Sequence, residues 1–390
     1  MQMEAPCFGS IAAFADQFES GRAQAGRLLP MEGLRGLAVL LVFFVHYSSQ
    51  LAQAFHLPLP AVGAALEHIG HVGVDLFFVL SGYLIYGALI QRPRPYIGFL
   101  LRRVQRLYPA FLVVLALHLL AAMLSSSGGG LPSGMRERLL LVAANVLLLP
   151  GLFDIQGIVV VAWSLSYEMA FYLVVPLVVT GLRLRRWPPA RRIALLLAAL
   201  VLMQLLEWAH RRMGMFLCGM LLVEILGLLL ERLRHAPWLD GLALAALPLM
   251  AAAVLAEVPP VVSDSAVLIA CFLLCAAALG REGPVARGLR LTPLRWLGNM
   301  SYSYYLLHGF MLMLFFVALR GAGPLLQAAG EASYWVLLLP ALLVTIVGSV
   351  PLYLFVERPF SILPAERQPA AAVASPLGKL PGEPGGLAGA

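Results

Sequence analysis

The stretch GLRGLAVLLVFFVHYSSQL, residues 33–51, decides the fold class. It is long enough to cross the roughly 30 Å hydrocarbon core of a bilayer as one helix, and apolar runs of similar length recur as far as Val356. Hydrophobic residues make up 61% of the chain and charged residues 12%, far outside the range of soluble proteins. In hydrocarbon each backbone amide must be satisfied within its own segment, so the chain is predicted to be an all-α, polytopic bundle of transmembrane helices.

The same pattern excludes several other classes of protein. A transmembrane β-barrel needs strands of alternating polarity, and the run 194–206 does not alternate. The net charge of +7 does not indicate nucleic-acid binding, because the arginines lie in short segments between apolar runs, as topology determinants do. The four cysteines have no histidine or carboxylate beside them to complete a ligand set, so no metal site is predicted.

Arginine clusters predict the orientation of the bundle in a bacterial inner membrane. If they are cytoplasmic, ten helices result with both termini inside, near 33–51, 71–90, 107–124, 163–181, 193–209, 214–230, 241–257, 263–280, 296–319 and 333–356. The apolar run 139–149 is too short to cross and is predicted to be re-entrant or buried, although a crossing at 138–152 stays open. The weak points of this scheme are His210, Arg211 and Arg212, which fall in a short outer turn.

Three regions are predicted along the chain. Residues 1–29 contain acidic side chains and lack the apolar core of a signal peptide, so they form a cytoplasmic N-terminal segment before an uncleaved first helix. Residues 30–360 form the membrane domain. Residues 361–390, rich in Ala, Pro and Gly, are predicted to be a disordered cytoplasmic tail.

Ionisable residues within membrane spans are costly, so each is a functional candidate. Arg35 and His46 are eleven residues apart, which places them on one face of the first helix and about 16 Å apart along its axis. Histidine is the side chain best suited to exchange a proton near neutral pH, so His46 is a candidate base. The alternatives are a packing role for His46 and a topology role for Arg35.

Two carboxylates lie in spans at a depth similar to that of His46. Asp75 stands near the outer end of the second span, and Glu168 lies one turn after the interfacial Trp163. Each is a candidate catalytic residue that orients the imidazole or binds an acceptor. The alternative for Glu168 is a structural bond to Tyr172, four residues further along the helix. The pair Ser81 and Gly82, near the middle of the second span, is predicted to form a close contact between helices.

Arg103 and Arg106 open the third span on the predicted cytoplasmic side. Guanidinium groups at positions i and i+3 share a face and match the geometry of phosphates. They are therefore predicted to bind a phosphate-bearing cofactor, with contact to lipid headgroups as the alternative. The aromatic and imidazole side chains predicted to bind substrate are Trp163, Tyr172, Tyr305 and His308, with aromatic-belt anchoring as the alternative for the tyrosines.

Six motifs occur in an order and spacing that are typical of one family of membrane enzymes. They are Arg35 with ten residues before His46, GVDLFFVLSG at 73–82, RVQRLYP at 103–109, WSLSYE at 163–168, SYSYYLLH at 301–308 and ERP at 357–359. On these motifs the chain resembles the acyltransferase-3 family, whose bacterial members O-acylate lipopolysaccharide, exopolysaccharide, Nod factors and macrolides. The resemblance covers about residues 30–360. Glu32 stands where the family commonly has Asp, and no esterase-like domain follows the bundle, so the stand-alone form is expected.

The resemblance implies a ten-helix bundle with acyl-CoA supplied from the cytoplasm. Its acceptor is reached from the periplasmic side or within the membrane. Arg35 and His46 are implied to be the residues most tied to activity, and Arg103 and Arg106 to face the CoA. The implied partners are acyl-CoA, with acetyl-CoA the expected donor, a saccharide, glycolipid or glycoside acceptor, and membrane lipids; the oligomeric state is not predicted.

The sequence thus predicts an integral-membrane O-acyltransferase acting on a saccharide hydroxyl. Arg103, Arg106 and Arg35 hold the CoA phosphates, and His46 removes the hydroxyl proton, with direct transfer and an acyl-histidine intermediate both open. The alternative is a transporter or flippase of a glycan or lipid-linked intermediate, which moves its acceptor without turning over acyl-CoA. Such proteins usually carry internal repeats, which the sequence does not show. A third alternative is a membrane scaffold without any chemistry, but an inert bundle has little reason to retain buried charges.

Overall fold

Helices form nearly all of the chain that can be described. The computed structural model describes residues 16–19, 29–125, 130–205, 210–256 and 258–362, and within these ranges there is no β-strand. The helices are α1 (Leu29–Phe55), α2 (Ala61–Gly70), α3 (Val72–Gln91), α4 (Tyr96–Leu124), α5 (Met135–Val146), α6 (Ala162–Gly181), α7 (Pro189–Leu205), α8 (Gly214–Arg234), α9 (Trp238–Leu255), α10 (Pro260–Gly280), α11 (Pro284–Leu289), α12 (Thr292–Asn299), α13 (Ser301–Ala318), α14 (Gly323–Ala329) and α15 (Ala332–Leu352). A π-helix, Tyr353–Ile362, continues α15.

The all-α, multi-pass architecture predicted from the sequence is confirmed. Among the described residues, 9 helical segments are long and apolar enough to cross a membrane. The tenth predicted span, 193–209, corresponds to α7, which has 17 residues, and its last four positions lie outside the described residues. Each span satisfies its own backbone hydrogen bonds, which is the condition that hydrocarbon imposes.

Several predicted boundaries differ from the helices observed. The second span is part of a longer helical stretch, Ala61–Gln91, that breaks at His71 between α2 and α3. Helix α4 begins at Tyr96 rather than near 107, so Arg103 and Arg106 lie two to three turns inside it instead of at its start. The predicted span 296–319 is divided at Met300 into α12 and α13.

The short apolar run 139–149 does not cross the bilayer. It belongs largely to α5, a helix of 12 residues, which extends about 18 Å and is too short to span. Asn145 is the one buried residue of this helix, whereas Leu139 and Leu140 are about three-fifths exposed. Leu148, just beyond the helix, is also buried, with 2% of its surface exposed. The run therefore packs one side against the bundle and exposes the other.

Part of the predicted N-terminal segment packs against the membrane domain. Phe18 stacks with Tyr353 and packs at a tilt against Trp296. Glu19 accepts hydrogen bonds from Arg295 and from Trp296 Nε1. The rest of that segment, residues 1–15 and 20–28, and the predicted disordered tail from 363 onward lie outside the described residues.

Close backbone contact joins α3 to α8. A Cβ atom added at Gly82 would collide with the backbone of Phe216, and one added at Gly219 would collide with the backbone of Val79. Small residues let transmembrane helices approach in this way. The contact confirms the packing role predicted for Gly82 and holds α3, which carries several site residues, in a fixed rotation.

Candidate active site

One arginine of α1 opens onto a cavity inside the bundle. The cavity has a volume of ≈ 80 Å³ and is bounded by α1, α3, α4, α6 and α13. We call it the Arg35 cavity; its polar lining residues are Arg35, Ser81, Arg106, Ser164, Glu168, Ser301, Tyr302 and Tyr305. Its apolar wall comes mainly from α3, through residues such as Phe77 and Leu84. The lining therefore combines a charged end with an apolar wall.

Arg35 is available to an anion in this cavity. The side chain is half-buried, and no residue of the described ranges forms a hydrogen bond or ion pair with it. Arg106, Glu168 and Glu357 lie close enough to interact with it electrostatically. A guanidinium with five donors and no acceptor that is held in this way is suited to bind a phosphate or carboxylate.

Two of the carboxylates near Arg35, Glu168 and Glu357, are already engaged by hydroxyl groups. Glu168 Oε1 accepts hydrogen bonds from Ser81 Oγ at 2.9 Å and from the Tyr172 hydroxyl. Glu357 Oε2 accepts bonds from the backbone N–H of Ser303 at 3.0 Å and from its Oγ at 2.6 Å. The bond between Glu168 and Tyr172 that was the structural alternative in the sequence is therefore present.

The basic pair of α4 is divided between two environments. Arg106 lines the Arg35 cavity, whereas the Arg103 guanidinium lies over the rings of Phe99 and Tyr172, at 5.2 and 5.4 Å from their centroids. The Arg103 Nε is buried and has no hydrogen-bond partner among the described residues. Aromatic faces stabilise a cation in a poorly hydrated position, which explains how Arg103 is accommodated within α4.

His46 contacts a second histidine rather than a carboxylate. Its ring is 5.0 Å from that of His308, edge to face, and His46 is half-buried. No hydrogen bond within the described ranges joins His46 to Asp75 or Glu168. The predicted role of either carboxylate in orienting the imidazole finds no support in the geometry.

His308 is completely buried, with 0% of its surface exposed. Its Nδ1 lies 3.0 Å from the carbonyl oxygen of Tyr304 and 2.8 Å from that of Tyr305. Carbonyl oxygens only accept, so Nδ1 carries the proton and Nε2 presents a lone pair. That Nε2 is buried and has no partner among the described residues.

Tyr305 connects this histidine pair with the Arg35 cavity. It lines the cavity, its ring lies 6.2 Å from that of His308, and its hydroxyl is 2.7 Å from Ser164 Oγ. His46 itself is not among the residues that line the cavity. The stripe predicted for Arg35 and His46 therefore runs from the cavity to an imidazole that lies behind Tyr305 and His308.

Asp75 lies at a second cavity near the other end of the bundle. Its Oδ1 is 3.9 Å from the Nε of Arg212, and the Arg212 guanidinium lies over the ring of Trp163 at 5.6 Å. Trp163 also packs edge-on against Phe78, which lines the Arg35 cavity. Trp163 therefore stands between the two cavities, while Tyr172 is buried beside Glu168 and Arg103.

Arg212 was not singled out from the sequence as a site residue, although one signal pointed to it. The pair Arg211 and Arg212 broke the arginine rule by falling in an outer turn. A charge at a position that topology does not explain is a candidate for a site.

Comparison with known proteins shows what the chain as a whole is similar to. A family model described as "Acyltransferase domain" matches residues 30–354. The chain is 33% identical over 387 residues to "Acyltransferase MdmB" of Streptomyces mycarofaciens, covering 90% of this chain and 96% of that protein. It is 25% identical over 320 residues to "Exopolysaccharide production protein ExoZ" of Rhizobium meliloti, covering 75% and 89% of the two chains. A shorter match, 32% over 154 residues, is to "Putative membrane-bound transacylase BcsY" of Komagataeibacter xylinus, covering 37% and 35%. No solved structure gives a significant match.

Proposed function

Because the chain belongs to the acyltransferase-3 family of membrane acyltransferases, we propose that it transfers a short acyl group from acyl-CoA to a hydroxyl of a saccharide or glycoside. Acetyl is the expected group. The observation that carries the proposal is the half-buried guanidinium of Arg35, unpaired with any described residue, in a cavity that leads through Tyr305 and His308 to His46.

The Arg35 cavity suits the donor. CoA carries phosphates at one end and a long, weakly polar arm that ends in the thioester. Among the charged residues that line the cavity, Arg35 and Arg106 face the single carboxylate of Glu168, so the charged end of the cavity favours an anion. The apolar wall of α3 suits the arm, which points the thioester toward the histidine pair.

His46 supplies the base in this proposal. The imidazole takes the proton of the acceptor hydroxyl as the oxygen attacks the thioester carbonyl carbon. The new C–O bond forms as the C–S bond breaks, and the imidazolium returns the proton to the departing CoA sulfur. The products are an O-acyl ester and free CoA thiol, so no further reactant is required.

The Arg35 end of the bundle faces the cytoplasm in this proposal, and both termini lie on that side of a bacterial inner membrane. Arginines are concentrated at that end, in segments such as 183–186 and 287–295, as cytoplasmic segments are. Acyl-CoA, a cytoplasmic metabolite, then meets Arg35 directly.

Acceptor-dependent release of CoA thiol tests the function. The protein would be reconstituted in proteoliposomes and given acetyl-CoA, labelled in the acetyl group, together with a panel of glycosides. When acetyl-CoA is supplied on the arginine-rich side of the membrane, we expect CoA thiol to be released only if an acceptor is present. The label is expected to appear in the acceptor as an ester that alkali cleaves. A flippase would instead move a glycan without thiol release, and that result would contradict the proposal.

His308 acts in this proposal as a positioning residue, not as a substrate contact. Its Nε2 lone pair, buried beside the His46 ring, can accept the N–H of His46 and so keep the other His46 nitrogen deprotonated toward the acceptor. If His308 is replaced by glutamine, the side-chain amide takes the position of the histidine Nε2. If it is replaced by asparagine, the amide takes the position of Nδ1.

His308→Gln is expected to retain more activity than His308→Asn, by about tenfold, a difference within the range of one hydrogen bond. The rate of ester formation and its pH profile check this, with the midpoint of activity shifted in the Asn variant. A purely structural role of His308 predicts the opposite order, because the Nδ1 bonds to the carbonyls of Tyr304 and Tyr305 are then the ones that matter.

A further inference from the structure

A second, larger cavity lies near the opposite end of the bundle from Arg35. Its volume is ≈ 160 Å³, and it is bounded by the break between α2 and α3, by α7, by the start of α8 and by α10. We call it the Arg212 cavity; its polar lining residues are His68, His71, Asp75, Gln204, Arg211, Arg212, Ser263 and Asp264. A polar cavity of this size holds several waters or about one sugar ring.

The charges of the cavity balance. Arg212 lies 3.9 Å from Asp75 and Arg211 lies 3.4 Å from Asp264, so two cations face two carboxylates. Neither pair is joined by a hydrogen bond, and the gaps are wide for charged partners, which normally approach to about 2.7–2.9 Å. An anion is not favoured where positive and negative charge cancel, in contrast to the Arg35 cavity.

Two buried acceptors in this cavity lack hydrogen bonds. Asp75, with 5% of its surface exposed, has an Oδ1 that accepts no bond from the described residues, and the same holds for Oε1 of Gln204. Buried acceptors left in this way are costly unless a ligand or water supplies a donor. A hydroxyl group fits both requirements, because it donates to a carboxylate or amide oxygen and accepts from a guanidinium.

The Arg212 cavity also lies close to His46, the proposed base. His71, which lines it, is close enough to His46 to interact with it electrostatically. Arg212 lies over Trp163, which packs against a wall residue of the Arg35 cavity. His46 therefore has the Arg35 cavity on one side, through His308 and Tyr305, and the Arg212 cavity on the other, through His71.

We propose that the Arg212 cavity binds the acceptor as a neutral, polyhydroxylated ring, with Asp75, Gln204 and Arg212 as its hydrogen-bonding groups. The inference rests on the proposed function and names the acceptor side of it. Alternating donors and acceptors select a hydroxylated ligand, and the cancelled charges select a neutral one. Asp75 thus binds the acceptor and does not orient His46.

Acceptor titrations of the full chain in nanodiscs test this, with acetyl-CoA as donor. The probes are neutral methyl glycosides, and a methyl hexuronide is the anionic comparison. Asp75→Asn and Arg212→Gln are each expected to raise the acceptor KM by about tenfold or more, the range of one charge-assisted hydrogen bond. The KM for acetyl-CoA is expected to stay within about twofold of the wild-type value.

Two variants outside the cavity are the matched controls. Glu67→Gln removes a carboxylate from α2, and Arg320→Gln removes an exposed arginine beyond α13; neither residue lines the cavity, and neither is expected to change the acceptor KM. The double variant Asp75→Asn/Arg212→Gln leaves no unpaired charge. It is expected to keep acetyl-CoA binding and still to bind the acceptor weakly, which separates binding from folding.

Each outcome decides between the two proposals. If wild-type protein neither binds nor turns over acetyl-CoA, the proposed function fails. If acetyl-CoA is used but the cavity variants keep the wild-type acceptor KM, or lower kcat alone, only the inference is overturned. It is also overturned if the hexuronide is the preferred acceptor, or if no neutral glycoside accepts the acyl group.

Discussion

Replacing Arg103 and Arg106 together by Gln is expected to raise the KM for acetyl-CoA by about a hundredfold or more. Hydrogen bonds to charged groups contribute about 1.5–3 kcal/mol each, and 1.4 kcal/mol corresponds to a factor of ten in affinity. Arg106 lines the Arg35 cavity, and Arg103 is held at its edge by two aromatic rings. Initial rates at saturating acceptor, measured over a range of acetyl-CoA concentrations, give the KM.

Arg102 provides the matched control for this double variant. It precedes Arg103 on the same helix, but it is exposed and does not line the cavity. Arg102→Gln is expected to leave the acetyl-CoA KM unchanged. If the double variant kept a wild-type KM, or if Arg102→Gln raised it equally, the arginines would be acting through lipid headgroups or through topology.

Replacing His46 by Ala is expected to lower the rate of ester formation by about 10²–10⁴-fold, the usual contribution of a general base. The half-buried imidazole contacts only His308 among the aromatic rings of the described ranges, so its removal leaves the Arg35 cavity intact. Acetyl-CoA binding, measured as a ligand-dependent rise in Tm, is therefore expected to stay near the wild-type value.

His118 is a second membrane histidine that serves as a control for His46. Its Nδ1 bonds to the carbonyl of Val114 in its own helix at 2.9 Å, and its ring packs on Phe310, away from both cavities. His118→Ala is expected to keep the rate of ester formation within about twofold of the wild type, because it loses no catalytic group.

Sequence periodicity predicted the helices well because hydrocarbon imposes length and polarity on each span. Boundaries were predicted less well. Helix α4 begins eleven residues earlier than predicted, at Tyr96, because aromatic rings accommodate Arg103 where a hydropathy pattern expects a charged loop. The division between α15 and the π-helix follows Pro351, whose missing N–H interrupts the regular ladder, but the resulting geometry depends on packing.

The site was only partly predictable for a related reason. Spacing within one helix gave the shared face of Arg35 and His46, since both lie on the same rigid element. Spacing also gave the depth of Asp75 and Glu168, but not the rotation of their helices about their axes. The glycine contact between α3 and α8 fixes the rotation of α3, and Asp75 lies toward Arg212. On α6, Glu168 accepts a hydrogen bond from Ser81 of α3, a contact between helices that spacing alone does not give.

The histidine pair illustrates a contact that one sequence cannot reveal. His46 and His308 are separated by more than 250 positions, and only the packing of α1 against α13 brings their rings to 5.0 Å. Arg212 is the opposite case, since its unusual place in an outer turn was visible in the sequence and its cavity was not.

The central claim is that His46 is the base at which donor and acceptor meet, between the Arg35 and Arg212 cavities. The most direct measurement is a single turnover of labelled acetyl-CoA by wild type and His46→Ala in nanodiscs, with donor and acceptor both saturating and the fold verified by acetyl-CoA binding. We expect the ester to form at least about a hundredfold more slowly in the variant. Ester formation at the wild-type rate by folded, donor-bound His46→Ala would contradict the claim.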